Sequence, residues 1–206
     1  MIVRVLGSTE FDACYEAMRR FTAARDAQTP DELWLTEHPP VYTVGAAGRA
    51  QHLPGAGADK SIPVKRIDRG GQITYHGPGQ AIVYTMLDLT RSGLKVRAVV
   101  ELLEQAVIDL LASYQVQASR RPAAPGVYVD GAKIAALGLR VARRGCYHGV
   151  ALNVAMDLSP FNCIDPCGYP GLAVTQTRAL GIDARAEEIG EALAKRIAVL
   201  VEHAHG

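Results

Sequence analysis

The sequence predicts an α+β chain, a mainly antiparallel or mixed sheet with helices packed on it. Three observations carry this. Apolar residues recur at helical spacing in three stretches, short runs of strand composition lie between them, and an Asp-Gly pair separates two alternating runs. The 206 residues contain no internal repeat, low-complexity tract or linker, and are expected to form a single domain, 1–206.

Val3 to Leu6 alternates as a strand. Ser8 or Thr9 can then cap a helix whose apolar face is Phe11, Tyr15, Met18 and Phe21. Leu33 to Thr36 and Val41 to Val44 read as strands parted by the rigid Pro39-Pro40, and Gly55 to Asp59 reads as a loop. A further strand, Ile62 to Asp68, is expected to run straight into Arg69-Gly70-Gly71. Ala81 to Leu87 is β-rich, whereas Val96 to Leu111 repeats Val99, Leu103, Val107 and Leu110 with helical period. Asp130-Gly131 then predicts a hairpin with a type I′ turn, which puts Lys133 at the start of its second strand. Val150 to Val154 extends the sheet, SPFNCIDPCGYPG is a shaped loop, and Glu187 to Val201 closes the chain as an amphipathic helix.

Composition narrows the function classes. With 49% hydrophobic and 21% charged residues, and 22 Lys+Arg against 21 Asp+Glu, nothing advertises a nucleic-acid or membrane partner. No apolar run approaches the ~20 residues that span a bilayer, and the start, Met1 to Gly7, is too short for a secretion signal. The expected location is the cytoplasm. Cys14, Cys146, Cys163 and Cys167 are too few for a disulfide scaffold, so each is a buried small hydrophobe, a ligand or a reactive thiol.

RGGQITYHGPGQ, Arg69 to Gln80, concentrates backbone freedom and polar groups. Consecutive glycines let a backbone turn at positive φ and bring its N–H groups close to a ligand, yet neither phosphate-loop pattern is present. A polar-decorated hairpin explains the stretch equally well, and His76 alone reads as a structural histidine. Cys167 is more informative, because Pro166 fixes its backbone and Gly168 permits a sharp turn, conditions under which a thiol can stand beside free N–H groups. Cys163-x-x-x-Cys167 with His148 or His76 invites a zinc site, but the spacing is not C-x-x-C and no second pair exists. Lys133 by itself reads as a solvated strand lysine. Cys146, beside Arg143-Arg144, reads as an incidental cysteine in a turn.

Three separated motifs change the weight of these residues. RGGQITYHGPGQ, then GAKIAALGLR followed by HGVALNV, then FNCIDPCGYPG resemble, in order and spacing, the octanoyltransferases, also called lipoate-protein ligase B. The resemblance covers essentially the whole chain. It implies an α/β fold with a central mixed sheet flanked by helices, similar to the catalytic domain of lipoate and biotin protein ligases. It also implies transfer of an octanoyl group from acyl carrier protein to a lysine of lipoyl-carrier domains, those of 2-oxoacid dehydrogenase E2 subunits and the glycine cleavage H protein. No cofactor, ATP or metal is implied, and a monomer is expected. On the matching motifs, Cys167 is the nucleophile and Lys133 the residue that tunes it. Arg69, Gly70, Gly71, Gln72, Ile73, Thr74, Tyr75 and His76 would line the acyl site. Ala135, Ala136 and Leu137, with His148, Gly149 and Val150, match the remaining substrate-contacting stretches. Gln80 to Val83 is a variable part of the pattern and leaves open whether Ala81 enlarges the acyl slot.

The chemistry implied is coherent. Thioester exchange is nearly isoenergetic and transfer to an amine is downhill, so a cysteine route needs no ATP. An ammonium at Lys133 would stabilise a thiolate at Cys167. An apolar slot burying roughly seven carbons would contribute on the order of 5 kcal/mol and select by length. An ATP-dependent lipoate ligase shares the fold and the lysine but needs no cysteine, and a non-catalytic carrier-binding module would keep the Gly70-Gly71 and His76 segment but would not need both Cys167 and Lys133. Arg140, Arg143 and Arg144 are candidates for docking an acidic carrier protein.

Overall fold

The computed structural model describes residues 1–49, 53, 58–165 and 171–204. β1 (Ile2–Ser8) leads into α1 (Phe11–Ala24), and β2 (Glu32–Glu37) returns parallel to β1, a crossover that requires the intervening helix. β3 (Val41–Val44), β4 (Val64–Arg66) and β5 (Ile73–His76) make a small sheet in the order β4-β3-β5. The chain continues through β6 (Gln80–Asp88), the single turn α2 (Leu89–Ser92), α3 (Val96–Ala112), β7 (Ser119–Arg120), β8 (Val127–Val129), β9 (Ala132–Ala142) and β10 (Gly145–Asn153) to α4 (Ala186–His203). The large sheet is mixed: its order is β1-β2-β6-β10-β9-β8-β7, with β1 and β2 parallel and the other pairs antiparallel.

Period-2 alternation splits β6 between two cores. Ala81, Val83 and Leu87 face α3 and α4, while Ile82, Tyr84 and Met86 face α1 with its Cys14 and Met18. Leu103, Val107 and Leu110 of α3 are at most 1% exposed and contribute about 1.5–3 kcal/mol each. A third cluster, around Tyr42, Tyr75 and Phe161, closes the small sheet.

Long-range pairing corrects several local readings. Ile73 to His76, in a stretch whose sequence allows either a ligand-approaching turn or a polar-decorated hairpin, is a strand because Val41 to Val44 offers it an antiparallel partner. Only Val64 to Arg66 of the expected Ile62–Asp68 strand pairs. β10 starts at Gly145, so Cys146 is a buried strand residue opposite Leu87 and Val141 rather than a turn residue. Neither Ser8 nor Thr9 caps α1. Glu10 holds that position, and the Thr9 hydroxyl instead lies 2.7 Å from that of Thr36. The type I′ hairpin is as expected, with Asp130 and Gly131 at φ 47° and 82°. Of the expected Gly55–Asp59 loop, residues 55–57 lie outside the described residues.

Candidate active site

The stretch Arg69 to Gln80 resolves into a bend, a strand and a tight turn. Its bend and strand lie over the α1-facing side of the large sheet and enclose a pocket of about 520 Å³, mouth included. Arg69, Gly71, Gln72, Ile73, Thr74 and His76 line it from above. Ala136, Leu137 and Gly138 of β9, residues 148–151 of β10, and Ile82 and Tyr84 of β6 line it from the sheet. Gly71 takes φ 84°, the backbone state that the glycine pair predicts.

Not every expected residue reaches this pocket. Gly70 borders a neighbouring groove, where its N–H donates to the Leu139 carbonyl at 2.9 Å. Tyr75 packs its ring against Tyr42 and Phe161 in the small-sheet core. Ala135 belongs to the α3 and α4 core and to a small space beside Lys133. Ile82 lines the pocket, whereas Ala81 faces the opposite core and does not enlarge it.

Lys133 is not a solvated strand lysine. It is 3% exposed, its Nζ donates to the Pro125 carbonyl at 2.8 Å, and it lies 5.5 Å from the Tyr128 ring centroid. The space for it is built by Gly126, at φ 142°, where an added Cβ would come 2.4 Å from Lys133 Cε. Glu104 of α3 accepts the Gly126 N–H at 2.8 Å and holds that backbone in place. The main chain of Lys133 also pairs with residues 173–175: its N–H donates to Ala173 O at 2.8 Å, and Thr175 N–H donates to its carbonyl at 2.9 Å. Thr74 and Ala136 border both the main pocket and the space at Lys133, which Phe161 and Val174 also border. Cys167, with Pro166, Gly168, Tyr169 and Pro170, lies outside the described residues.

A directed series of hydrogen bonds runs behind the pocket. Arg69 can only donate, and its Nη2 does so to the Thr43 hydroxyl at 3.0 Å. That hydroxyl lies 3.3 Å from His76 Nε2. His76 Nδ1–H donates to Gln80 Oε1 at 2.7 Å, Gln80 Nε2 to Asn153 Oδ1 at 2.9 Å, and Asn153 Nδ2 to the Thr175 carbonyl at 3.0 Å. The series therefore ends on the segment paired with Lys133. Burial lowers the His76 pKa to about 3, so its imidazole is neutral and serves as a link rather than a charge.

His148 departs from strand alternation. At φ 67° its ring leaves the side shared by Cys146 and Val150 and stacks on Tyr147 and Tyr15, with centroids 4.9 and 5.6 Å away. Its Nε2–H donates to Asp68 Oδ1 at 3.2 Å, and the Tyr147 hydroxyl donates to Asp68 Oδ2. Burial pushes the Asp68 pKa up, but hydrogen bonds from His148, Tyr147 and Tyr15 outweigh it and hold the group well below its ordinary value. A non-glycine residue held at positive φ in a pocket wall stores strain of order 1–3 kcal/mol.

Comparison with known proteins adds the family. Residues 14–198 match the model of the lipoyl protein ligase A/B catalytic domain. An octanoyltransferase of Dechloromonas aromatica is 54% identical over 206 residues, covering 100% of this chain and 98% of the relative. The chain belongs to the octanoyltransferases. Another octanoyltransferase, from Thiobacillus denitrificans, is 59% identical over 194 residues, 94% of this chain and 87% of its own. The fold of this octanoyltransferase family member is shared with distant ligases. A putative lipoate protein ligase of T. acidophilum with bound lipoic acid superposes with TM-score 0.77 at 16% identity, over 98% of this chain and 87% of that one. A biotin protein ligase of Aquifex aeolicus gives 0.58 at 11%, over 98% and 70%.

Two further cysteines of this octanoyltransferase, Cys14 and Cys146, are unsuited to nucleophilic work. Cys14 and Cys146 are 5% and 1% exposed, and burial pushes both thiols up to about 11. Among the described residues no three His, Cys, Asp or Glu side chains come together to hold a metal, and no helix is long and apolar enough to cross a membrane. Sequence reasoning passed over Phe11, His38, Asp68, Glu104, Gly126 and Asn153, because each acts through partners distant in sequence. Positive φ at a non-glycine such as His148 has no local sequence signal either. Of the arginine candidates, Arg140 and Arg143 border one depression together with Arg19 and Arg20 of α1 and with the acidic Glu16 and Asp68, which lie 3.0 Å from Arg19 and 3.9 Å from Arg140, and Arg144 is paired with Asp88 at 3.2 Å.

Proposed function

We propose that the whole chain acts as one catalytic domain that moves an octanoyl group from an acyl carrier protein thioester to a lysine of lipoyl-carrier domains, through a thioester on Cys167. The observation that carries this reading is the burial of Lys133 beside a small space that adjoins the apolar pocket at Thr74 and Ala136 and is bordered by Phe161 and Val174, which precede and follow Cys167 in sequence. Membership of the octanoyltransferases supports the acyl group. The Cys167 thiolate attacks the donor carbonyl, the carbon–sulfur bond to the carrier breaks, and the carrier thiolate leaves with a proton taken from the Lys133 ammonium. The acceptor amine then attacks the acyl-enzyme, its proton returns to the Lys133 amine left by that transfer, and the Cys167 thiolate departs. The donor thioester is already activated relative to the amide product, so no ATP is needed.

Intact-protein mass spectrometry tests the reading. Mixing the protein with octanoyl-acyl carrier protein and no ATP is expected to give an octanoyl adduct that hydroxylamine removes and that Cys167→Ser lacks. Acceptor modification that appears only with ATP and free octanoate would replace this reading with that of a ligase. The donor is expected to dock by charge at the Arg19, Arg20, Arg140 and Arg143 cluster. Arg140→Glu with Arg143→Glu should weaken use of the acyl carrier protein on the order of tenfold while sparing a small octanoyl thioester. Equal losses with both donors would remove the docking assignment.

A further inference from the structure

The pocket has a direction. Its mouth is at Gly71, which is exposed, and at half-buried Ala136, Leu137 and Gly138 of β9, while Ile82 and Tyr84 of β6 are at most 4% exposed. Strand register sets two rows across it, Ala136–Ala151–Ile82 and Gly138–Gly149–Tyr84. Both begin with small side chains and end in large ones. From β9 to β6 is two strand spacings, roughly 10 Å, about the reach of an extended octanoyl tail. The sheet continues to β2, where Thr36 pairs with Ile82, but the pocket does not.

What stands over this end is Phe11, the first residue of α1 and 5% exposed. Its ring lies 5.3 Å from that of His38 edge-on, 6.3 Å from His76 and 6.0 Å from Tyr15. His38 is itself fixed. Its Nδ1–H donates to Thr9 O and its Nε2 accepts from the Tyr84 hydroxyl, both at 2.7 Å. The stop therefore cannot yield by a simple rotamer change, since every group behind it is hydrogen-bonded or stacked.

We propose that Phe11 sets the length of acyl chain this protein accepts, acting as the end wall against which the tail terminates. This rests on the acyl-pocket reading above. The role is one of specificity, because Phe11 lines the pocket but not the space that holds Lys133.

The test is a competition. Equimolar hexanoyl-, octanoyl-, decanoyl- and dodecanoyl-acyl carrier proteins are offered with a limiting lipoyl domain, and the acylated acceptor is resolved by intact mass. Phe11→Ala is expected to raise the decanoyl-to-octanoyl product ratio on the order of tenfold, as two further methylenes become burial rather than clash. Phe11→Trp is expected to shift product toward hexanoyl by a similar factor. Should Phe11→Ala fail to fold, Phe11→Leu carries the same expectation in smaller measure. Unchanged ratios in all variants, with the acceptor still acylated, would overturn the proposal, since a merely structural Phe11 alters total turnover and not its distribution. A wild-type protein that acylates the lipoyl domain only from free acids with ATP would overturn the donor reading alone. The same competition run with the four free acids would then still judge Phe11.

Discussion

Lys133→Met is expected to lower octanoyl transfer by roughly 10²–10⁴-fold while leaving the fold in place. Methionine matches the length of the lysine stem and removes a buried charge, which offsets the loss of the donor to Pro125 O, a cost of about 1–3 kcal/mol. Two readouts separate chemistry from packing. The rate of octanoyl transfer should fall, and, on the proposed mechanism in which Lys133 stabilises the thiolate, the pH at which Cys167 becomes reactive toward iodoacetamide should rise. A second variant reaches the same group without touching it. Gly126→Ala would place a Cβ 2.4 Å from Lys133 Cε and 2.9 Å from Nζ, at a φ of 142° that alanine resists. It should displace the ammonium and lower transfer with the lysine still present. Transfer at the wild-type rate in Lys133→Met would remove this side chain from the mechanism.

Stability is expected to fall steeply between neutral pH and pH 5, well before the carboxylates titrate. His38, His76 and His148 are at most 7% exposed, and burial lowers the pKa of each, to about 3 for His76. The sign follows from proton counting. Above about pH 6.5 both states are neutral at these rings and pH has no leverage. Below it the unfolded chain binds protons that the native state refuses, so unfolding gains favour as pH falls, down to the native value of each ring. For His76 the window runs from about 6.5 to about 3 and the loss approaches 1.4 kcal/mol per pH unit. Asp68, whose native pKa is lowered, adds its own loss only at more acid pH, through the ordinary carboxylate range. Denaturant melts at pH 7.5 and 5.5 measure the slope directly. His76→Gln, uncharged in both states, should flatten it by about one proton; an unchanged slope would mean that His76 is protonated in the native state.

Much of the architecture was legible in the sequence wherever a physical rule is local. α3 and α4 follow from apolar residues every three or four positions, and the turn at Asp130-Gly131 from two residues that tolerate positive φ. Residue type and backbone rigidity singled out Cys167, between Pro166 and Gly168, as a candidate reactive thiol, whereas its role as nucleophile and the role of Lys133 came only from the resemblance to octanoyltransferases. What no local rule contains is the pairing of strands far apart in the chain. Val41 to Val44 makes a strand of Ile73 to His76, and residues 173–175 pair with Lys133 across forty positions of sequence. Burial is likewise a property of the assembled molecule. Lys133 reads as a solvated lysine until Gly126, held by Glu104 of α3, forms the space that encloses it. Phe11 reads as one more apolar position of an amphipathic helix until α1 is laid over β6 and its ring closes a pocket built from β5, β9 and β10. Residue type and spacing thus determined the elements and the chemical groups, because those depend on neighbours within a few bonds or one helical turn. The depth, direction and length of the pocket were decided only in the tertiary structure, because they depend on distances between side chains that the chain brings together last.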